Sequence, residues 1–367
     1  VIAIGIMSGT SCDGADAIAL RLASVSEPHE PEIVAHAHVP YPEEVRRRLL
    51  SPESLTVADL AELHYALPEI YAEAAKALGC VGDARVCGVH GQTVWHAPPS
   101  KRPSVPASLQ IGSTAILAHR LGVPVVGDLR GADIAEGGEG APIVPLSHWF
   151  FTPPASRPRA VVNFGGIANV TLVTEDPEGV VGYDVGPGMM IVDAYAARAS
   201  AGALDCDRDG QLSRGGAPIT ALVDAIVAHP FVAAPPPKST GREDFGARFF
   251  EPILARFAAA PTRDVAASLC FATARCVALA VEQAGLAPRE IVLTGGGAKN
   301  PTLVGFVRDL LPAAPVRVVD RGVLLPDHHE PAAMALIAAR TLEGLPSSLA
   351  RVTGARRASR LGHIHWP

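Results

Sequence analysis

No apolar run in this sequence approaches the roughly 20 residues that a membrane-crossing helix needs, although 48% of its 367 residues are hydrophobic and mean hydropathy is +0.24. A soluble chain with no membrane partner is expected. The first residues have neither a basic region nor a small-residue cleavage site, so no secretory signal is expected, and a start without Met points to slight trimming. Positive charge is not in excess: the formal net charge is -6 and the pI about 6.1. That excludes a nucleic-acid partner held by bulk electrostatics and leaves a small molecule as the expected partner. C-x-x-C pairs are absent too. Cys12, Cys80, Cys87, Cys206, Cys270 and Cys276 are scattered, which suits reduced thiols in a cytoplasmic protein rather than a disulfide framework. His328-His329-Glu330 and His363-Ile364-His365 lack partners at zinc-binding spacing. Asp205 to Gly210 begins like an EF-hand loop but has Gly216 where the closing Glu belongs, so calcium is excluded.

What is present is concentrated first at the N-terminus. An apolar strand from Ile2 breaks at Ser8-Gly9-Thr10-Ser11-Cys12-Asp13-Gly14 and resumes as Ala15 to Leu20, with Asp16 inside it. Glycines let backbone amides approach an anion, hydroxyls add donors, and a carboxylate beside a phosphate needs a cation between them. The turn is a candidate for nucleotide phosphate and magnesium; an ordinary tight hairpin is the plain alternative.

The chain is long enough for two domains, and its element order repeats. Glu32 to Pro40 adds a third strand, Glu43 to Leu50 and Thr56 to Leu78 have helical periodicity with Ser54 and Thr56 as candidate caps, and Arg85 to Val94 is a strand. Ser113 to Leu121 reads as a helix and Val123 to Asp128 as a buried strand. The second half opens in the same way: strand Arg159 to Phe164, a glycine turn at Gly165-Gly166, and strands Val170 to Thr174 and Val180 to Asp184. Helices follow at Met189 to Ala201, Ile219 to Ala228 and Ala266 to Ala284, then strand Glu290 to Leu293, helix Thr302 to Leu311, strand Val316 to Val319 and helix Ala332 to Leu342. Two α/β halves that each open with a glycine-turn hairpin predict two RNase H-like, actin-type domains of the actin, hexokinase and Hsp70 kind, with a central nucleotide and substrate cleft. A Rossmann fold would need a glycine turn opening straight into a helix, and both turns run back into a strand. The expected domains are 1–135 and 136–345, with 346–367 a tail packing back on the body.

Four further stretches are candidates for chemistry. Gly295-Gly296-Gly297, between a strand and a helix, offers bare backbone to a nucleotide where one glycine would serve a simple turn. Asp133 to Pro145 alternates charge with glycine and is expected to be a substrate loop. Asp184 ends an apolar strand before Gly186-Pro187-Gly188, where a partly desolvated carboxylate can act as a general base; an N-cap is the plain alternative. Lys238 to Glu243 is a polar cluster that reads equally well as a solvated loop.

Met7 to Ser11 through Asp13-Gly14 and Asp16, His90-Gly91-Gln92-Thr93, Gly137-Gly138 with Gly140-Ala141-Pro142, Asn163 with Gly165-Gly166 and Asn169, Asp184 with Gly186-Pro187-Gly188, Lys238 to Glu243, and Gly295-Gly296-Gly297-Ala298 with Asn300 closely resemble anhydro-N-acetylmuramic acid kinase, in order over nearly the whole chain. The resemblance implies a cytoplasmic, homodimeric kinase that uses ATP and magnesium to open 1,6-anhydro-N-acetylmuramic acid and phosphorylate it to N-acetylmuramic acid 6-phosphate in cell-wall recycling. It makes Asp184 the base that activates water. Gly9, Thr10, Ser11, Cys12, Asp13, Gly14, Ala15 and Asp16 match the phosphate turn, with Asp13 the magnesium residue. Asn163, Gly165, Gly166, Asn169, Gly295, Gly296, Gly297 and Asn300 fall to the nucleotide, and Ser8, His90, Gln92, Arg130, Asp133, Gly186 and Glu330 to the sugar. The family usually has Gln where Glu139 stands and Asn where Met189 stands. A kinase for another anhydro-sugar such as levoglucosan, and an actin-like ATP-binding module without turnover, are the alternatives.

Overall fold

Ile2–Ser8 forms β1, which reverses into β2 (Gly14–Arg21) and then β3 (Glu32–Pro40), all antiparallel, with Ile4 opposite Ala19 and Ala17 opposite Ala37. β4 (Val86–Ala97) joins β1 in parallel, β5 (Ala107–Ile111) folds back on its far end, and β6 (Val125–Gly127) runs parallel to its other edge. The order β3-β2-β1-β4-β6 is extended by the short strand His363–His365, antiparallel to β6. The plan is then built again. β7 (Arg159–Phe164), β8 (Ile167–Val173) and β9 (Val181–Pro187) are antiparallel, and β10 (Glu290–Thr294) and β11 (Val316–Val318) add in parallel, in the order β9-β8-β7-β10-β11. Setting aside β5, which pairs only with β4, both sheets place their first three strands in the order third, second, first and then add two parallel strands beyond the first. This is the α/β architecture of two RNase H-like, actin-type domains that the repeat predicts.

The computed structural model describes every residue except Thr10, Pro103 and the side chain of Glu243. Its contacts divide it into one unit of Val1–Pro153 with Arg321–Pro367 and another of Pro154–Asp320. This differs from the expected boundaries at 135 and 345, and the reason lies in two glycines. Gly5 of β1 stands opposite Gly88 of β4. A Cβ on Gly5 would overlap the Pro331 carbonyl oxygen, and one on Gly88 the Met334 carbonyl oxygen. The alanine-rich helix His329–Leu342 therefore lies flat on the first sheet and belongs to the first unit, as does the C-terminal strand.

Each unit has its own apolar core. Ile4, Ile6, Leu63, Leu67, Tyr71 and Val89 are among the residues that fill the first, beneath the helix Val57–Ala77, which Thr56 and Asp59 cap reciprocally. Val162, Phe164, Val170 and Leu269 help fill the second. The helix Thr262–Gln283 corrects one expectation: with 22 residues it is long and apolar enough to cross a membrane, but 78% of its apolar window is buried against the second sheet and neighbouring helices. A fully covered helix has no reason to keep a polar face.

Candidate active site

In the second unit the polar positions of the sheet stand in a row. The register sets Thr294 of β10 beside Asn163 of β7, Asn163 beside Asn169 of β8, and Asn169 beside Asp184 of β9. Opposed residues share one face with Cβ atoms about 5 Å apart, so a hydroxyl, two amides and a carboxylate line one side of four strands. The β7–β8 turn is only Gly165-Gly166. Its carbonyls accept from the amides of Gly188, Met189 and Met190 at 2.8–3.1 Å, pinning the turn to the start of the helix Met190–Ala199. Beside it, β10 runs out into Gly295-Gly296-Gly297. Gly295 has φ +84, a Cβ there would strike the Asn163 side chain, and a Cβ on Gly297 would strike Met189. The two glycine turns close on each other around Met189, while Gly296 has nothing within 4 Å of its Cβ position and keeps open backbone for a ligand.

Asn300, expected at the nucleotide, is 2% exposed. Its side-chain oxygen caps the helix Pro301–Leu310 through the amides of Thr302 and Leu303 (3.0 and 3.3 Å), and its nitrogen donates to Asp207 Oδ2 at 3.0 Å. It holds the helix that follows the glycine turn. Gly186, expected at the sugar, is buried, and a Cβ on it would press on Cys276 Sγ at 3.1 Å. It is glycine because the helix Thr262–Gln283 passes close by. Asp184 is half-buried. Its Oδ2 accepts from the Ser239 hydroxyl and the Thr240 amide, both at 2.9 Å, and its amide donates to the Lys238 carbonyl at 3.3 Å.

In the first unit, Ser8 stands opposite Gln92. Its hydroxyl donates to Gln92 Oε1 and also bonds the Tyr41 hydroxyl, which donates to Tyr71 at 3.3 Å; Gln92 Nε2 donates to the Gly9 carbonyl at 3.2 Å. With Ser8 2% and Gln92 1% exposed, both brace the turn from below. Cys12 closes the turn at φ 52, its amide donating to Gly9 at 3.2 Å, and its side chain joins the core, where burial raises its pKa. Its contribution to any bound phosphate is backbone. Gly14 and Ala15 are buried in β2. Burial alone would raise the Asp16 pKa, but the His38 hydrogen bond at 2.9 Å and the His36 ring 3.7 Å away hold it below the usual carboxylate range. Thr10 lies outside the described residues. Ser11 and Asp13 are exposed, and the Ser11 hydroxyl donates to Asp13 Oδ1 at 2.8 Å. Asp13 is thus the exposed carboxylate at the head of the turn, a hard oxygen donor of the kind magnesium takes.

Arg130 donates from Nε and Nη2 to Nε2 of His90, whose Nδ1–H donates to the Gly91 carbonyl at 2.8 Å. This network assigns His90 the neutral Nδ1–H tautomer. Burial, and then the Arg130 charge, pushes its pKa down to about 3. Burial lowers Arg130 to about 10 against the opposing field of Glu330, which sits in the first turn of the helix His329–Leu342. A guanidinium held by an uncharged ring suits a ligand rich in oxygen or negative charge. Asp133 is 0% exposed. Its oxygens accept from the Thr353 hydroxyl at 2.7 Å and the Gly140 amide at 2.8 Å, and burial raises its pKa. It ties the loop 137–140 to the C-terminal segment from inside, where a sugar contact is expected. Glu139 accepts from the Ser100 amide and hydroxyl at 3.2 and 2.5 Å, so its acidity serves a loop contact.

Ser239, Thr240, Tyr41 and Thr353 are the partners that sequence reasoning misses. The polar run at Lys238 is visible in the sequence, but nothing local ties it to β9.

The chain matches the family profile of anhydro-N-acetylmuramic acid kinase over residues 1–367. Among solved structures it is similar to component A of the (R)-2-hydroxyglutaryl-CoA dehydratase of Acidaminococcus fermentans, with 14% identity, 94% of this chain and 99% of that chain covered, and a TM-score of 0.49. It is also similar to the activator of the 2-hydroxyisocaproyl-CoA dehydratase of Clostridium difficile with bound ADPNP (14%, 94% and 96%, TM-score 0.46). A ROK family glucokinase of Streptomyces griseus in complex with glucose and AMPPNP follows (12%, 93% and 100%, TM-score 0.43).

Proposed function

Since the chain belongs to the anhydro-N-acetylmuramic acid kinase family along its whole length, we propose that it opens 1,6-anhydro-N-acetylmuramic acid and phosphorylates it with ATP, giving N-acetylmuramic acid 6-phosphate. The observation that carries this reading is Asp184, a carboxylate set in a row with Asn163 and Asn169 and held by the Ser239 hydroxyl and the Thr240 amide. Asp184 takes a proton from water, and the water oxygen bonds to the anomeric carbon. The bond from that carbon to the bridging O6 breaks, and O6 bonds to the γ-phosphorus as the bond to the ADP oxygen breaks. Arg130, oriented by His90, and Glu330 bind the sugar. Gly9, Ser11 and the backbone of the first turn bind phosphate. Gly165-Gly166 and Gly295 to Gly297 bind the nucleoside.

Among the described residues no three His, Cys, Asp or Glu are grouped as metal ligands. This suits magnesium, which keeps several waters and rests on one or two carboxylates and the phosphates. Asp13 would hold it, and the ion when bound neutralises phosphate charge. The proposal extends to a homodimer acting in the cytoplasm in cell-wall recycling.

The test is ADP release by the purified protein with ATP and magnesium, comparing 1,6-anhydro-N-acetylmuramic acid, levoglucosan and no sugar. Release that depends on the muramic sugar is expected. Release with levoglucosan alone would move the substrate, and none with either would overturn the kinase reading.

A further inference from the structure

We propose that the loop Lys238-Ser239-Thr240 is the positioning element of the base: it grips Asp184 at Oδ2 and fixes the direction in which the carboxylate takes the proton. This rests on the reading of Asp184 as the base. Three hydrogen bonds join the loop to this one residue of β9: the Ser239 hydroxyl and the Thr240 amide to Oδ2, both at 2.9 Å, and the Asp184 amide to the Lys238 carbonyl at 3.3 Å. The loop is fastened on both sides of that grip. Lys238 Nζ donates to the carbonyls of Phe231 and Val232 at 2.9 and 3.0 Å and lies 4.7 Å from the centre of the Phe231 ring and 5.7 Å from that of Tyr183, the residue before the base. On the other side the Thr240 hydroxyl donates to Asp244 Oδ2 at 2.6 Å.

The terminal torsion of an aspartate is broad and two-fold, so an ungripped carboxylate presents either oxygen over a wide arc. Two donors on Oδ2 stop that rotation. They also favour the ionised form and so lower the pH at which the base becomes active. Among the described residues, the titratable groups at this end of β9 include Lys238 and Asp244 of the loop segment, Tyr183 of the strand, and Cys276 of the helix Thr262–Gln283, a buried thiol pushed up to about 12 and therefore neutral. Lys238 anchors the loop by its carbonyl partners and rings, and Ser239, at the surface, supplies the grip.

Ser239→Ala and Ser239→Thr test the proposal, beside Asp184→Asn. An exposed serine can be replaced with little effect on folding, and a thermal melt checks this. In Ser239→Ala, kcat is expected to fall about tenfold with the sugar KM within about twofold, and the acid limb of kcat/KM to move up by about half a pH unit or more. Ser239→Thr, which keeps the hydroxyl, should restore both. An acid limb that does not move in Ser239→Ala, whether or not kcat falls, overturns the positioning role, and so does a Thr variant that fails to rescue. Asp184→Asn separates this from the underlying reading: if that variant turns over normally the base assignment fails, whereas an inactive Asp184→Asn beside an unmoved limb sinks the positioning role alone.

Discussion

Nε2 of His90 accepts from both Nε and Nη2 of Arg130, at 3.2 and 3.0 Å, and a neutral ring therefore sets the direction of a buried cation. The ring can accept because burial and the Arg130 charge keep it unprotonated, and its other nitrogen is committed to Gly91.

Replacing His90 by Phe keeps the bulk and removes the acceptor. Arg130 then loses its orientation, and buried N–H groups lose a partner. The KM for the sugar is expected to rise about tenfold or more, by the scale of a charged hydrogen bond, with the KM for ATP unchanged. Steady-state kinetics in both substrates decide it, and equal effects on the two constants would count against a sugar-side role.

Acid should destabilise the fold through its buried imidazoles. Burial, and then nearby cationic groups, pushes His90 and His148 down to about 3 and His96 to about 4. In the unfolded chain these rings take a proton near pH 6.5. The unfolded state thus binds more protons between about pH 6.5 and 3, so stability is full above that window and is lost as pH falls through it. The loss is about 2 kcal/mol for each of His90 and His148 between about pH 7 and 5. Urea titrations at the two pH values measure it; equal stabilities would show that the rings stay accessible to protons.

Asp184→Asn removes the proton acceptor but keeps the shape and the ability to accept from Ser239 and Thr240. Turnover is expected to drop by at least about a hundredfold, with ATP affinity retained. Calorimetric binding of a non-hydrolysable nucleotide beside the rate measurement distinguishes lost chemistry from a lost fold.

Two glycines should separate folding from binding. Gly5→Ala forces a methyl group into the Pro331 carbonyl and is expected to cost about 3 kcal/mol or more. Gly296→Ala meets nothing within 4 Å, so stability should stay within about 0.5 kcal/mol while ATP affinity falls. Denaturant midpoints and nucleotide titration on both variants test the contrast, and a Gly296→Ala that binds ATP normally would remove that turn from the site.

The strands and glycine turns are legible because their signals are local: Gly165-Gly166 sits between two apolar runs, and a carboxylate at Asp184 inside such a run is conspicuous. The helix from His329 onward is also legible as a helix. Its sheet is not, since periodicity says that a face is buried but not against what; the clue was Gly5 and Gly88, two strand positions without side chains. The partners of Ser8, Gln92, Asp133 and Asn300 lie beyond local reading for a related reason: each meets a hydroxyl, a backbone group or a helix cap that only the folded chain brings near. Ser239 and Thr240 reach Asp184 from a loop whose destination no local pattern encodes.

The helix His329–Leu342 covers β1 and β4, so these strands, made before the second unit, receive their cover only after it. The second unit, by contrast, is one continuous stretch of chain, Pro154–Asp320. During synthesis it is complete while the first sheet still lies open on one face, and domains fold as units once their chain is available. The second unit therefore matures before the first, and an early stop after Asp320 leaves a finished second unit attached to a sheet with one apolar face uncovered, the kind of surface that chaperones hold and proteases clear.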